Sequence, residues 1–302
     1  MNKSTGKTVS ARLRILLLVG TVLFAFNTAT AQDAEMAMES HGSQVESSLG
    51  VDWTTQYFFR GIVQETEGLI VQPWVDFVFP LFEGKNASFS LNVGVWNSLH
   101  DGVSGSGTDG MTMHYELDAY VGIGVSFADN WSASATYVLL SSPNSAFGLV
   151  KELDVSLSFD DSALFGSEAG RFHGVQPSVM IAMEIDGQSD GGTEEGSYLE
   201  IGIEPSFDLI QDDDHPVSIS FPITGGFSLS NYFEGPDGEG DSFGFAQGGI
   251  SLSTPLSFVN ARMGSWTLSG GVSMLYLGDH LEVINGGENS EIIVSLGVGI
   301  GL

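Results

Sequence analysis

Residues 46–62 constrain the fold more than any other stretch of this chain. Leu49, Val51, Trp53, Thr55, Tyr57 and Phe59 share one parity, while Ser48, Gly50, Asp52, Thr54, Gln56, Phe58 and Arg60 share the other. Successive side chains of a strand point to opposite faces, so alternation of this length predicts a strand with one apolar and one polar side. Such a strand fits two architectures. One is a secreted β-sandwich. The other is a membrane barrel whose apolar face meets lipid and whose polar face meets water.

The rest of the chain chooses between them. The same alternation recurs over 69–79, 87–97, 114–127, 131–140, 149–159, 175–185, 198–209, 217–228, 243–252, 266–276 and 291–302, which with the first segment makes about twelve strands. Helical periodicity is nearly absent, and glycine is abundant at 40 residues against 9 prolines. Connections tend to alternate between short turns, as at 83–86 and 128–130, and longer loops rich in glycine and acid; 160–174 and 253–265 break the short-turn pattern. Aromatic residues gather at strand ends. Tyr57, Phe59, Tyr115, Tyr198 and Tyr276 lie on the long-loop side, and Phe79, Phe127, Trp131, Phe159, Phe207 and Trp266 on the other, as two interfacial girdles require. Lys85, Arg171 and Arg262 fall in the presumed periplasmic connections. The expectation is therefore an all-β chain folded as an antiparallel transmembrane β-barrel of about twelve strands over residues 46–302.

Residues 1–31 read as a signal peptide. Lys3, Lys7, Arg12 and Arg14 form a basic start, an apolar run covers 15–26, and Ala29-Thr30-Ala31 supplies a small-residue cleavage pattern. Residues 32–45 are polar and patternless, the composition of a disordered segment. The whole chain carries a formal net charge of −29, and four of its cations leave with the signal. Nucleic acid is excluded as a natural partner, since phosphate binding needs clustered Lys and Arg. There is no cysteine, so disulfides, thiolate nucleophiles and cysteine-ligated metals are excluded as well.

A family resemblance rests on Gln56-Tyr57-Phe58-Phe59-Arg60-Gly61-Ile62 followed by Val71-Gln72-Pro73. This stretch resembles the opening Ser/Thr-x-Tyr-x-Phe-Arg-Gly-Ile type motif of the Gcw_chp family of uncharacterised exported bacterial proteins. The resemblance is specific over 51–73 and diffuse beyond. It implies an exported, β-rich envelope protein and carries no assigned reaction or ligand. Leu302 stands where many outer-membrane barrels have Phe.

The polar parity decides what the lumen is like. It carries Asp52, Asp76, Glu116, Asp118, Glu152, Asp154, Glu184, Glu200, Glu204 and Glu291, against the single cation Arg60. Lys151 falls on the lipid parity near a strand end, where it can snorkel. Burying so many unpaired carboxylates is prohibitively costly, so they are expected to be hydrated, protonated or counter-ion bound, in a wet lumen that attracts cations. Pairing symmetric about the loops would set Asp52 opposite Asp76 and Glu184 opposite Glu200, each pair either keeping one carboxyl protonated through a raised pKa or holding a cation; the plainer alternative is a solvated polar wall. Arg60 is expected to pair with Glu291 or with a mouth carboxylate such as Glu116, shaping the barrel rather than binding substrate.

Enzymatic readings are weaker. Some twelve-stranded barrels are phospholipases with a serine, a histidine and an orienting polar group. Of His41, His100, His114, His173, His215 and His280, only His114 falls on an expected strand, and no nucleophile motif accompanies it. Asp237, Glu239 and Asp241, and the run 212–214, offer oxygen ligands for Ca²⁺ or Mg²⁺ without EF-hand spacing; no cofactor is expected. The expected function is a narrow, passive, cation-preferring channel for small solutes in the outer membrane of a Gram-negative bacterium, with a non-transporting structural or surface-binding barrel as the alternative. The partners implied are outer-membrane lipid, small cationic or neutral solutes, and the barrel assembly machinery during biogenesis.

Overall fold

The computed structural model describes residues 45–105, 112–165, 171–212, 216–234, 238 and 240–302. The expected signal peptide over 1–31 and the polar segment up to residue 44 lie outside the described residues. So do His41, Asp213, Asp214, His215, Asp237 and Glu239.

The strands are β1 (Glu46–Thr54), β2 (Tyr57–Phe59), β3 (Ile62–Glu65), β4 (Ile70–Glu83), β5 (Ala87–His100), β6 (His114–Phe127), β7 (Trp131–Ser141) and β8 (Val150–Phe159). They continue as β9 (Ser178–Asp186), β10 (Ser197–Ile203), β11 (Ser206–Ile210), β12 (Val217–Ser220), β13 (Ile223–Ser230), β14 (Phe243–Pro255), β15 (Ser265–Leu277) and β16 (Ser290–Gly301). A short helix, α1 (Asp279–Ile284), sits in the connection from β15 to β16. Neighbouring strands pair antiparallel, and β1 pairs with both β4 and β16, closing a 12-strand barrel. Two of the twelve barrel strands are interrupted, between β10 and β11 at Pro205 and between β12 and β13 at Pro222. Proline has no N–H to give a ladder, which breaks the strand locally. The backbone N–H of Phe221 donates to the Pro205 carbonyl at 2.9 Å and ties the two breaks together.

The two faces invert the arrangement of a soluble protein. Phe77, Val121, Ile123, Val155, Ile181, Ile250, Val272 and Leu296 are exposed on the outside, while Ser132, Ser134, Thr136, Ser251, Ser253 and Thr267 are buried inside. A closed wall satisfies every backbone group between strands, and an apolar exterior on such a wall is a lipid-facing belt. The fold is a closed antiparallel β-barrel of the membrane-spanning kind. On the short-turn side, Trp131 lies 6.5 Å from Phe127 and 4.8 Å from Phe159, ring centre to ring centre, and Phe207 lies 4.7 Å from Phe172.

The long-loop girdle differs from the expectation. Tyr276 is outward, next to Phe243, but Tyr57, Phe59, Tyr115 and Tyr198 are all buried. The reason begins in the opening strand, which does not run to residue 62. β1 stops at Thr54, which pairs with Ile70 of β4, so residues 55–69 form an insertion that is tied to the wall at its two ends, by the Thr55 N–H to the Val294 carbonyl and the Asp101 N–H to the Leu69 carbonyl. Within it, Phe59 pairs with Ile62 across the two-residue turn Arg60-Gly61. Both turn residues are left-handed, with φ of 48° and 84°, the conformation that lets a two-residue turn match the twist of its strands. Gly61 adopts it freely; Arg60 gives up about 1 kcal/mol to do so. The hairpin folds into the barrel rather than extending it.

Candidate functional site in the lumen

The hairpin formed by β2 and β3 lies between two apolar clusters. Tyr57 and Phe59 join Ile70, Trp96, Tyr115, Val138, Leu140 and Val150. Phe58 and Ile62 pack against the second, which includes Met180, Tyr198, Phe233, Phe245, Leu275 and Leu281. Leu281 comes from α1, so the β15–β16 connection closes over the hairpin. Asn285, at the end of that helix, clamps the turn from both sides: its Nδ2 donates to the Gly61 carbonyl at 2.7 Å, and its Oδ1 accepts from the Val63 N–H at 2.9 Å. Gly61 has no room for a side chain, since a Cβ there would come within 2.8 Å of Leu281 Cδ1.

The tip of the hairpin places Arg60 among carboxylates. Its Nη1 donates to Glu152 Oε1 at 2.9 Å and to the Tyr232 hydroxyl, and its Nη2 donates to Asp154 Oδ2 at 3.4 Å. The Tyr232 hydroxyl in turn donates to Glu152 Oε1 at 3.0 Å. The guanidinium carbon stands 4.7 Å from the Tyr198 ring centre and 5.3 Å from that of Tyr232. Arg60 is only 8% exposed, and Glu152 and Asp118 are 0% exposed. Among the described residues, both Asp118 oxygens, together with Glu152 Oε2 and Asp154 Oδ1, have no hydrogen-bond partner. The expected partners of Arg60, Glu291 and Glu116, are not its partners. Glu291 accepts from Gln56 Nε2 at 2.9 Å, and Glu116 is buried against Tyr57.

The expectation of a wet lumen is corrected for this region. The hairpin, the loops over it and the inward aromatics make a packed core of the long-loop half, and Glu116, Asp118, Glu152 and Asp154 are buried in it. The remaining predicted residues line the inner face with local partners. Asp52 accepts from Trp74 Nε1 at 2.9 Å, Asp76 accepts from the Tyr120 hydroxyl, and Glu200 accepts from the Tyr198 hydroxyl at 2.8 Å. Glu184 accepts from the backbone N–H groups of Ser189 and Gly196, which folds the 187–196 loop inward. Glu204 is half-buried at the break between β10 and β11. The expected pairs do not form: Asp52 lies opposite Gln72, Asp76 opposite Ser48 and Glu200 opposite Met180. The first ladder starts at Thr54–Ile70 instead of around the expected loop, which moves the register. Glu184 stands opposite Glu152 instead. Lys151 is bonded to Asp186 at 2.6 Å at the strand ends.

A hydrogen-bond chain that the sequence reading missed fastens the other arm of the hairpin. Ser104 Oγ donates to Glu65 Oε2 at 2.8 Å, which leaves the Ser104 oxygen to accept from His100 Nδ1 at 2.6 Å. His100 Nε2 then accepts from the Ser98 hydroxyl at 2.6 Å, a tautomer set by the direction of the network. Glu65 also accepts from the backbone N–H groups of Thr66, Glu67 and Ser104. Burial raises its pKa, but the Ser104 hydroxyl and these N–H groups outweigh that and hold the carboxyl below its ordinary value. The serine–histidine contact resembles an activated nucleophile, yet Ser98 and His100 are both 0% exposed and offer no surface to a substrate. His100 ends β5, so His114 is not the only histidine on a strand. A visible signal was Arg60-Gly61 itself, a glycine placed where a two-residue hairpin turn needs a left-handed residue.

Among the described residues, no three acidic or histidine side chains converge in a metal-holding arrangement. No family model matches the chain, and no curated protein matches it. Solved structures with a similar outline include an outer-membrane channel from Pseudomonas putida F1, at 9% identity over 87% of this chain and 97% of that one, with a TM-score of 0.49. LpxR from Salmonella typhimurium matches at 7% identity over 84% and 99%, with a TM-score of 0.42. Outer membrane phospholipase A from Escherichia coli matches at 13% identity over 85% and 93%, with a TM-score of 0.40. Identities this low carry no ligand or reaction to this chain.

Proposed function

We propose that this barrel is a gated, passive passage for small cationic solutes, with the hairpin as its gate. The observation that carries the reading is the placement of Arg60: a cation on a detachable element fills a lumen whose carboxylates offer more acceptors than it uses. The hairpin is an insertion between β1 and β4, which already pair directly at Thr54 and Ile70, so it can leave without opening the wall. With the hairpin withdrawn, Glu152, Asp154 and Asp118 would be hydrated and would lower the barrier for cations while repelling anions. Towards the short-turn end the inner face carries small side chains such as Ser90, Ser134, Ser156, Ser178, Ser251 and Ser269, which suit passage of a hydrated solute. No catalytic step is part of this reading.

The second reading is a barrel that never opens and serves as a structural or surface-binding element. It is favoured by the apolar docking of Tyr57, Phe58 and Phe59, which a gate must undo. Under either reading the 51–73 stretch marks membership of the Gcw_chp family, and its Phe-Phe-Arg-Gly-Ile core would encode the inward hairpin.

Planar-bilayer recording of the wild type and of a variant with 55–69 replaced by a two-residue Asn-Gly turn separates the readings. The passage reading expects small or intermittent currents from the wild type and steady, cation-preferring currents from the variant. A folded variant that carries no current, or prefers anions, refutes it. A wild type that conducts as steadily as the variant refutes the hairpin as gate.

A further inference from the structure

Arg60 occupies a site built for more than a side chain that shapes the barrel. Its guanidinium is enclosed by two carboxylates, Glu152 and Asp154, and by the ring faces of Tyr198 and Tyr232. A planar cation with several N–H donors is the chemistry this enclosure matches: carboxylates take its edge, and aromatic faces take its plane. The enclosure also has capacity left over. Asp118 is wholly buried, and among the described residues both of its oxygens lack a partner, as do Glu152 Oε2 and Asp154 Oδ1. Buried acceptors of that kind are costly unless a donor meets them. The elements are independent of the hairpin, because Glu152 and Asp154 belong to β8, Tyr198 to β10, Asp118 to β6 and Tyr232 to the connection after β13.

We propose that the lumen holds a guanidinium-recognition site, made by Glu152, Asp154, Tyr198 and Tyr232, which Arg60 fills as a tethered ligand and for which a free guanidinium compound competes. The inference rests on the gated-passage reading for its purpose, since it names the class of cation that would release the gate. The site itself stands on the geometry alone. A free guanidinium that enters takes over the Glu152 and Asp154 contacts, and the hairpin then loses the charged hold at its tip while keeping the Glu65 fastening at its other arm.

The test uses Arg60→Gly in detergent micelles, with heat-modifiable gel migration as the check that the barrel has formed. Glycine suits the left-handed backbone at this position, so the substitution empties the site without straining the turn. The probe is guanidinium chloride at millimolar concentration, far below the molar range that unfolds proteins. Hydrogen exchange of residues 57–65 is followed against sodium and tetramethylammonium chlorides at equal ionic strength. The site predicts a saturable gain in protection with guanidinium, at about tenfold lower concentration than tetramethylammonium needs. The gain should vanish in Arg60→Gly combined with Glu152→Gln and Asp154→Asn. A formed Arg60→Gly barrel with no saturable gain, or with the same gain from every monovalent cation, overturns the proposal. If Arg60→Gly does not form a barrel, Arg60→Lys takes its place: guanidinium should then lower hairpin protection at concentrations the wild type resists, and equal behaviour of the two overturns the site. Conductance stays a separate matter. A cation-selective hairpin-free barrel together with an unresponsive Arg60→Gly refutes the site alone, while a responsive Arg60→Gly together with a non-conducting barrel refutes the passage alone.

Discussion

Replacing Arg60 by methionine removes the charge at the tip of the hairpin while keeping most of its stem volume. The wild-type guanidinium holds Glu152 at 2.9 Å and Asp154 at 3.4 Å, in a pocket where Arg60 is 8% exposed and Glu152 0%. Removing one partner of a buried ion pair costs about 3–5 kcal/mol, because the other charge is left uncompensated. The contacts with Tyr198 and Tyr232 depend on the same charge, so their contribution is contained in that figure rather than added to it. Against the loss stands the apolar docking of Tyr57 and Phe59, about 1.5–3 kcal/mol each, together with the Glu65 and Asn285 hydrogen bonds. The two sides are comparable. The hairpin should therefore remain the majority state while its opening becomes more frequent by about two to four powers of ten. Hydrogen exchange of residues 57–65 in micelles reads this directly, with the amides of β5 to β8 as internal reference. Protection of 57–65 within about threefold of wild type would refute the view that Arg60 holds the gate, since that corresponds to less than 1 kcal/mol.

Three further perturbations probe the frame and the other fastening. The Glu65 carboxyl has its pKa held below the ordinary 4.5, so its contribution is present above that value and is lost as pH falls through the lowered one; exchange around residues 62–69 should rise as pH is taken below that ordinary value, and Glu65→Gln should abolish that pH dependence. Gly226→Val would drive a side chain into the Phe245 ring, with Cδ1 2.7 Å from the new Cβ, and should lower stability to urea by about 1–3 kcal/mol; an unchanged midpoint would mean Phe245 is not fixed there. Val121→Arg puts a charge on the outer face midway along β6, where the membrane reading expects a loss of about 2–4 kcal/mol in bilayer folding equilibria, and no loss would argue against lipid contact at that face.

Closing the barrel and gating it are separable in physical terms. The wall is held by backbone ladders around its whole circumference, whereas residues 57–65 are fastened through side chains at Arg60, Glu65, Asn285 and the two apolar clusters, with backbone bonds to the wall at Thr55 and Leu69 on either side. Side-chain contacts of that number fall within a few kcal/mol of reversal, and ladders do not. On the proposed gated reading, that asymmetry is what would let residues 57–65 move within a fixed frame.

The sequence by itself determined the wall. Alternation of side chains is a property of each strand taken alone, so Val93 against Asn92, or Val155 against Asp154, declares its face without reference to anything distant. Short turns such as 128–130, where Ala128 and Asp129 are left-handed, are equally local. The tertiary structure alone decided where β1 stops and where residues 55–69 go. In residues 46–62 the alternation runs on past Thr54, and the same Tyr57 and Phe59 that would suit lipid suit an aromatic core just as well. Arg60 meets Glu152 across 92 residues of sequence and Tyr232 across 172, distances over which no periodicity carries information. Whether a carboxylate on the inner parity is wetted or buried depends on what else enters the lumen. In this barrel the chain's own hairpin enters it, and that contact is a sum over many side chains that meet only once the wall has closed.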